Sequence, residues 1–304
     1  MQIGLVGLGR MGGNMARRLL GDGHTVLGYD PDPAVREELE THGGKSEPSL
    51  QSLVQALATP RTVWIMVPAG DITQATVDEL SKHMSSGDTL VDGGNSNYKE
   101  TIERAEQLAD LGIDMLDSGT SGGVWGLENG YCLTIGGNRD AYERNRPIFK
   151  TLAPPENDGN LYVGPSGSGH YVKMIHNGIE YGMMQAFAEG LELLEAKTDF
   201  NLDLGAICEN WRYGSVIRSW LLDLTADEFK NDPGLDALSS YVEDSGEGRW
   251  TVDASVELAV PAPVLTLALQ MRFRSRQENP LGGRALAAMR NAFGGHSVRR
   301  ADGG

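Results

Sequence analysis

The 304-residue sequence predicts an α/β, doubly wound N-terminal domain followed by an all-α C-terminal domain. Three observations lead there. A G-x-G-x-x-G run stands between an apolar strand and a helix at the N-terminus. Short apolar runs then alternate with helical patterns to about residue 135, the rhythm of a parallel sheet wrapped by helices. From about residue 165 strand signals vanish and helical periodicity takes over. The expected division is 1–164 and 165–304, with Pro154-Pro155 and an Asp158-Gly159 turn marking the approach to it.

In order, residues 2–8 read as a short buried strand that runs into Gly7-Leu8-Gly9-Arg10-Met11-Gly12 and a helix through Leu20. The first two glycines permit a tight turn and close approach of backbone to a pyrophosphate. The third permits close packing of the helix, whose N-terminus offers free N–H groups and positive dipole. A strand from His24 to Tyr29 ends at Asp30, about 20 residues after the glycines, where a carboxylate binds the ribose 2′-hydroxyl of NAD and repels a 2′-phosphate. Asp30-Pro31-Asp32 contains no arginine to neutralise one. A helix over Asp32–Glu40, a Gly43-Gly44 turn and a polar helix near 48–57 follow.

Thr62–Pro68 is a central strand with the loop Val67-Pro68-Ala69-Gly70 at its C-terminal end. Ile72–Met84 is a helix. The strand from Asp88 ends in the Gly-rich loop bearing Asn95. Thr101–Leu111 is a helix, Ile113–Asp117 a strand, Ser121–Gly126 a flexible loop and Tyr131–Ile135 a strand. Three polar loops at the C-terminal edge of a parallel sheet are where a ligand binds. The expected cofactor-binding set is Gly7, Leu8, Gly9, Arg10, Met11, Gly12, Asp30, Val67, Pro68, Ala69 and Asn95. Beyond residue 165 the expected helices are 168–197, 202–223, 234–241, 250–259, 262–278 and 281–293, with Ser297–Gly304 a polar tail.

Composition narrows the function. Apolar content of 40% and charged content of 22% are those of a globular protein, and no run reaches the ~20 apolar residues of a membrane span. The N-terminus enters a strand at once, leaving no room for a signal peptide. Cys132 and Cys208 are not spaced as a metal pair; no metal site is expected, and reduced thiols in the cytoplasm are. The net charge of −16, from 42 acidic and 26 basic residues, repels nucleic acid and anionic membrane. An anionic substrate would need a local basic pocket, for which the C-terminal arginines are candidates.

The most informative stretch is Gly167-Ser168-Gly169-His170-Tyr171-Val172-Lys173-Met174-Ile175-His176-Asn177-Gly178-Ile179-Glu180-Tyr181. Lys173, His176, Asn177 and Glu180 stand at i, i+3, i+4 and i+7, on one helical face. Lys and Glu at such spacing are commonly a surface ion pair worth a few tenths of a kcal/mol. Here the stripe adds Asn and His, weak helix formers, follows a glycine turn, and lies downstream of a dinucleotide-binding unit. Together these favour an acid/base constellation.

These residues resemble the 6-phosphogluconate dehydrogenase family, decarboxylating type, in its short NAD-type bacterial and archaeal form, within the β-hydroxyacid dehydrogenase superfamily. The likeness covers nearly the whole chain: Gly7–Met15 as the cofactor motif, Asp92–Ser96 and Ser121-Gly122-Gly123 as substrate loops, and the stretch from Gly167 to Gly182 as the signature. Shorter hydroxyacid dehydrogenases lack His176–Tyr181, which makes that segment the discriminating one. The resemblance implies oxidative decarboxylation of 6-phospho-D-gluconate to D-ribulose 5-phosphate and CO2 in the oxidative pentose phosphate pathway. Lys173 is implied as the general base, which must be neutral in the complex, and Glu180 as the acid that protonates C1. Asn95, Ser121, Gly122, Gly123, His176 and Asn177 are implied to hold the carboxylate and hydroxyls.

At the phosphate end the resemblance implies Tyr181 and Arg272, with Arg290 and His296 reaching a neighbouring subunit's site in a homodimer or dimer-based oligomer. Ser245 and Glu247 stand where long family members carry Lys and Thr as phosphate ligands. A carboxylate cannot take that role, so Arg249 or Arg274 is expected to compensate. Asp30-Pro31-Asp32 replaces the Asn-Arg-Thr of NADP-using members, which favours NAD while leaving NADP possible. Two other readings compete: a β-hydroxyacid dehydrogenase acting on an unphosphorylated acid such as 3-hydroxyisobutyrate, and a dinucleotide-binding redox sensor without turnover. Glu180 and the arginines argue against the first, and the Lys173/Glu180 pair against the second.

Overall fold

The structure, a computed structural model, describes residues 1–156 and 159–300. Asp158 of the expected turn, and the last four tail residues, lie outside the described residues. The chain divides into two compact units, Met1–Gly178 and Ile179–Gly304.

The first unit runs β1 (Gln2–Val6), α1 (Arg10–Gly21), β2 (Thr25–Tyr29), α2 (Pro33–Thr41), β3 (Lys45–Ser46), α3 (Leu50–Ala56), β4 (Thr62–Ile65) and α4 (Asp71–Ser81). It continues through β5 (Thr89–Asp92), α5 (Tyr98–Ala109), β6 (Asp114–Ser121), a 3-10 turn (Gly123–Trp125), α6 (Gly126–Asn129), β7 (Cys132–Gly137), α7 (Arg139–Leu152), β8 (Asn160–Gly164) and the start of α8 (Ser168–Ala196). The strands form one sheet in the order β3-β2-β1-β4-β5-β6-β7-β8. From β3 to β6 every pairing is parallel.

The period-2 alternation of each strand divides its side chains between two faces. Trp64, Val91, Leu116 and Ile135 join a core with Met15 and Leu19 of α1 and Ile148 and Phe149 of α7. Val63, Ile65, Leu90 and Met115 join another with Leu53 of α3, Val77 and Leu80 of α4 and Leu108 of α5. Both faces are therefore covered, as the doubly wound class requires. Side-chain caps start the helices where the sequence offers them. Asp32 accepts from the Ala34 N–H with Pro33 in the first turn of α2, and Asn97 and Asn138 cap α5 and α7.

Several departures from the sequence reading have physical causes. β7 is antiparallel to β6, because the connection between them is too short for a crossover and can only turn the chain back. β6 extends through Ser121, so that residue closes a strand and the loop begins at Gly122. The expected flexible loop there contains the 3-10 turn and the single turn α6. α7, β8 and the two-residue β3 occupy stretches to which the sequence reading gave no element. α7 holds the apolar pattern Tyr142, Ile148, Phe149 and Leu152 despite Pro147 within it, a residue that ordinarily interrupts a helix.

The second unit contains the remainder of α8, a 3-10 turn (Thr198–Phe200), α9 (Leu204–Trp211), α10 (Trp220–Asn231), α11 (Glu247–Glu257), α12 (Pro263–Ser275) and α13 (Leu281–Gly294). The helix expected over 202–223 is two helices. Gly214 takes positive φ at the break, and the Ser219 hydroxyl accepts from the Leu222 N–H to begin α10. No helix forms over 234–241: Asp232 caps the end of α10, Pro233-Gly234 follows, and Leu235 has φ +51°. Cys208, Leu222, Ala226 and Phe229 pack with Phe187 and Leu191 of α8, and Tyr181 packs with Ala268, Leu269 and Val252.

Candidate active site

The dinucleotide cradle is built at the C-terminal end of β1, between β2 and β4, where strand order reverses. Gly7 has φ +85°, and a Cβ there would meet the Met66 carbonyl oxygen at 2.4 Å, so only glycine turns the chain here. A Cβ on Gly12 would lie 1.9 Å from the Gly7 carbonyl oxygen, which shows how closely α1 seats against the turn. Gly9, at the N-cap of α1, has no side-chain cap, and a Cβ there would meet nothing within 4 Å. Gly9 and Arg10 are exposed at the start of α1, where the first N–H groups of a helix have no partner within it. These residues fit a dinucleotide pyrophosphate.

Asp30 stands at the end of β2 with Oδ2 accepting from the Leu8 N–H (2.8 Å) and Oδ1 from the Asp32 N–H (2.9 Å). The carboxylate is thereby tied to the glycine turn itself. Arg36 Nη1 donates to the Asp30 and Pro31 carbonyls at 2.6 and 3.3 Å. The run Asp30-Pro31-Asp32 has no arginine, yet α2 returns one to its backbone, a neighbour that sequence adjacency did not reveal. Half-buried Val67 and exposed Pro68 and Ala69 follow β4, with the Pro68 carbonyl accepting from Thr73 Oγ1 (2.9 Å). Exposed Asn95 sits in a loop braced by buried Asp92, whose oxygens accept from the Gly94 N–H (3.0 Å) and Ser96 Oγ (2.7 Å).

The N-terminal part of α8 supplies the first unit's acid/base residues. Lys173 is only 9% exposed and Asn177 8%. Lys173 Nζ donates to Asn177 Oδ1 at 2.7 Å, and His176 Nδ1 lies 3.0 Å from the same oxygen. Ser121 Oγ is 3.5 Å from His176 Nε2. Ser121, Lys173, His176 and Asn177 are thus brought together, with Gly122 and exposed Gly123 following Ser121 directly. Such a cluster can orient an amine, move a proton and bind substrate hydroxyls.

In the second unit Tyr181 and Arg272 meet. The Arg272 guanidinium lies 3.5 Å from the Tyr181 ring centroid, and its Nη1 donates to the Glu243 carbonyl at 2.7 Å. Tyr181 Oη accepts from the Ser245 N–H at 3.2 Å. Ser245 Oγ donates to Glu247 Oε2 at 2.5 Å, so these two residues bond to one another beside Tyr181. Arg249 is clamped on Asp244 at 2.6 and 3.2 Å, and Arg276 joins the same carboxylate at 2.7 Å. These cations, Arg249 foremost, hold the Asp244 carboxyl below its ordinary value. Arg274 Nη1 donates to the Gln277 carbonyl (2.8 Å). Glu180, half-buried, precedes Tyr181 on α8. Arg290 lies in α13, and the exposed His296 packs back on Gly294 while its carbonyl accepts from Asn291.

Fold and cradle together define a dehydrogenase with a nicotinamide dinucleotide domain and a helical C-terminal domain. The sequence profile of the NAD binding domain of 6-phosphogluconate dehydrogenase matches residues 2–164, and that of the 6-phosphogluconate dehydrogenase C-terminal domain matches 169–281 and 195–304. The chain belongs to the 6-phosphogluconate dehydrogenase family and carries that family's NAD binding domain. It is 41% identical to the NAD(+)-dependent, decarboxylating 6-phosphogluconate dehydrogenase of Haloferax volcanii, over 99% of this chain and 100% of that one. The 6-phosphogluconate dehydrogenase of Plasmodium falciparum, solved apo, with NADP+ and with 6-phosphogluconate, superposes with TM-score 0.84 at 26% identity, covering 99% of this chain and 66% of that one. The 3-hydroxyisobutyrate dehydrogenase of Mycobacterium tuberculosis shares the fold, with TM-score 0.72 at 21% identity over 90% of this chain and 92% of that one.

Among the described residues no helix is long and apolar enough to cross a membrane, and no group of His, Cys, Asp or Glu is placed to hold a metal. Cys132 and Cys208 are both free.

Proposed function

We propose that the protein converts 6-phospho-D-gluconate to D-ribulose 5-phosphate and CO2 in the cytoplasm, within the oxidative pentose phosphate pathway, using NAD in preference to NADP. The observation that carries this reading is the buried Lys173 amine held on Asn177 within one cluster with Ser121 and His176. Family membership and the NAD(+)-dependent Haloferax relative support it. Asp30 favours NAD because a carboxylate at the ribose repels a 2′-phosphate.

When bound, the nicotinamide accepts hydride from the substrate's C3. Lys173, entering neutral, takes the proton of the 3-hydroxyl as the carbonyl forms. Asn177 Oδ1 aims Nζ for that transfer. The resulting 3-keto acid loses CO2 because its β-carbonyl accepts the electron pair, and protonated Lys173 stabilises the enolate oxygen. Glu180 then protonates C1. Asn95, Ser121, Gly122, Gly123, His176 and Asn177 hold the carboxylate and hydroxyls, and Tyr181 with Arg272 takes the phosphate. Arg249 is clamped on the Asp244 carboxylate, whereas Arg272 stacks on Tyr181, so Arg272 carries that load within one chain.

Arg290 and His296 complete the phosphate pocket of a second copy in a homodimer. Supporting this, α13 has no buried residue and exposes Leu281, Leu286, Met289 and Phe293, an apolar face that a lone helix in water does not sustain. The test of substrate is a panel of 6-phosphogluconate and 3-hydroxyisobutyrate with NAD and NADP. Reduction of NAD with 6-phosphogluconate at the highest kcat/KM is expected. Turnover of 3-hydroxyisobutyrate alone would replace this reading with the unphosphorylated-acid one.

A further inference from the structure

Strand β6 meets the first turns of α8 at alternate residues. Asp117 is fully buried; its Oδ1 accepts from the Gly167 N–H and its Oδ2 from the His170 N–H, both at 2.8 Å. Two residues on, Gly119 lies so close that an added Cβ would be 2.5 Å from Lys173 Cβ and 2.6 Å from the Gly169 carbonyl oxygen. Two further on, Ser121 reaches His176. Residues 117, 119 and 121 share one face of the strand, and they engage helix positions 167/170, 173 and 176 in turn.

The first N–H groups of a helix have no partner within it, and a carboxylate suits that end both as acceptor and as charge. Here the acceptor comes from a strand about fifty residues earlier. Each oxygen of Asp117 fixes a different N–H, so the carboxylate holds both the axial position and the rotation of the helix. His170 adds a second tie, its Nδ1 2.8 Å from Thr101 Oγ1 on α5.

We infer that Asp117 is a positioning residue for catalysis: by clamping the Gly167 and His170 amides it sets the register of α8 on β6 and thereby places the Lys173 amine. The inference rests on Lys173 being the base. Asp117→Asn keeps the shape and one acceptor but turns an NH2 toward the other amide. Expected are a kcat for 6-phosphogluconate lower by ~10- to 100-fold, the scale of an ångström's misplacement of a reacting group, and a KM for NAD within about 3-fold of wild type. The primary isotope effect on kcat with substrate deuterated at C3 should rise, since the chemical step becomes limiting. Hydrogen exchange of the amides of 167–173 should accelerate locally.

Gly119→Ala, which keeps the Asp117 carboxylate but presses on Lys173, Thr134 and the Gly169 carbonyl, should displace α8 from β6 and lower kcat in the same way. Unchanged kcat and isotope effect in Asp117→Asn, alongside accelerated exchange at 167–173, would overturn the inference, and so would unchanged exchange. If Asp117→Asn does not fold, Asp117→Ser, with one acceptor oxygen, is read by the same measurements. Wild-type protein inactive on 6-phosphogluconate would instead remove the functional reading; exchange in Asp117→Asn would still decide whether the clamp exists.

Discussion

Lys173 sits where an amine is easy to aim: nearly buried, held on the Asn177 carboxamide, and close against a strand glycine. Glu180 lies further along the same continuous helix and is half-buried. Removing either separates their roles. Lys173→Met should abolish nearly all turnover while NADH binding, followed by fluorescence titration, persists, because the glycine turn is untouched. Glu180→Gln should bind substrate yet lose the overall reaction by ~10²-fold or more, the scale of general acid catalysis. Full activity in either variant would take that residue out of its assigned role.

At the scale of elements, the three glycines of the first turn do three different jobs, and two of them can be told apart by mutation. Gly12→Ala drives a methyl into the Gly7 carbonyl and should destabilise by about 1–3 kcal/mol, an overpacking cost, seen as a lower Tm. Gly9→Ala meets only open space. It should change stability by less than about 1 kcal/mol yet weaken NADH binding markedly, because the methyl occupies the pyrophosphate's approach. If Gly9→Ala instead unfolds the protein and binds normally when folded, the cradle is misassigned.

Elements defined by local chemistry were legible in the sequence. The glycine turn, Asp30 at the end of β2, and α8 from Ser168 all follow from spacing and turn residues. The antiparallel β7 was hidden because strand direction depends on how short the β6–β7 connection is, not on the apolar pattern of either strand. α7 was hidden by Pro147. The break between α9 and α10 depended on a positive-φ glycine and a serine cap inside an apolar periodicity that runs through both helices. The candidate site residues themselves were read from the motifs that carry them. Of their supports, Asp92 bonds within its own loop, to Gly94 and Ser96, whereas Asp117 reaches the start of α8 from a distant strand and leaves no local signature.

For the molecule as a whole, a −16 chain must gather its cations locally if it is to bind the phosphorylated acid proposed for it. Arg272 stacked on Tyr181 supplies one, and the apolar face of α13 with Arg290 supplies a reason to pair. An isologous dimer would let each C-terminal segment serve the other copy's phosphate, where a forked guanidinium suits the oxygens. Mixing Lys173→Met with the double variant Arg290→Ala/His296→Ala, under conditions that exchange subunits, should restore activity. One site of each mixed dimer then contains only unmutated residues. Demonstrated exchange without restored activity would mean that the segment serves its own chain.

Decarboxylation coupled to oxidation is read from product stoichiometry. Purified protein is supplied with NAD and 6-phosphogluconate labelled at C1, and NADH and labelled CO2 are measured together. One CO2 per NADH, with ribulose 5-phosphate as the sugar product, is expected throughout the reaction. NADH formed while the label stays in an oxidised acid would contradict the claim, leaving a dehydrogenase whose Glu180 has no C1 to protonate.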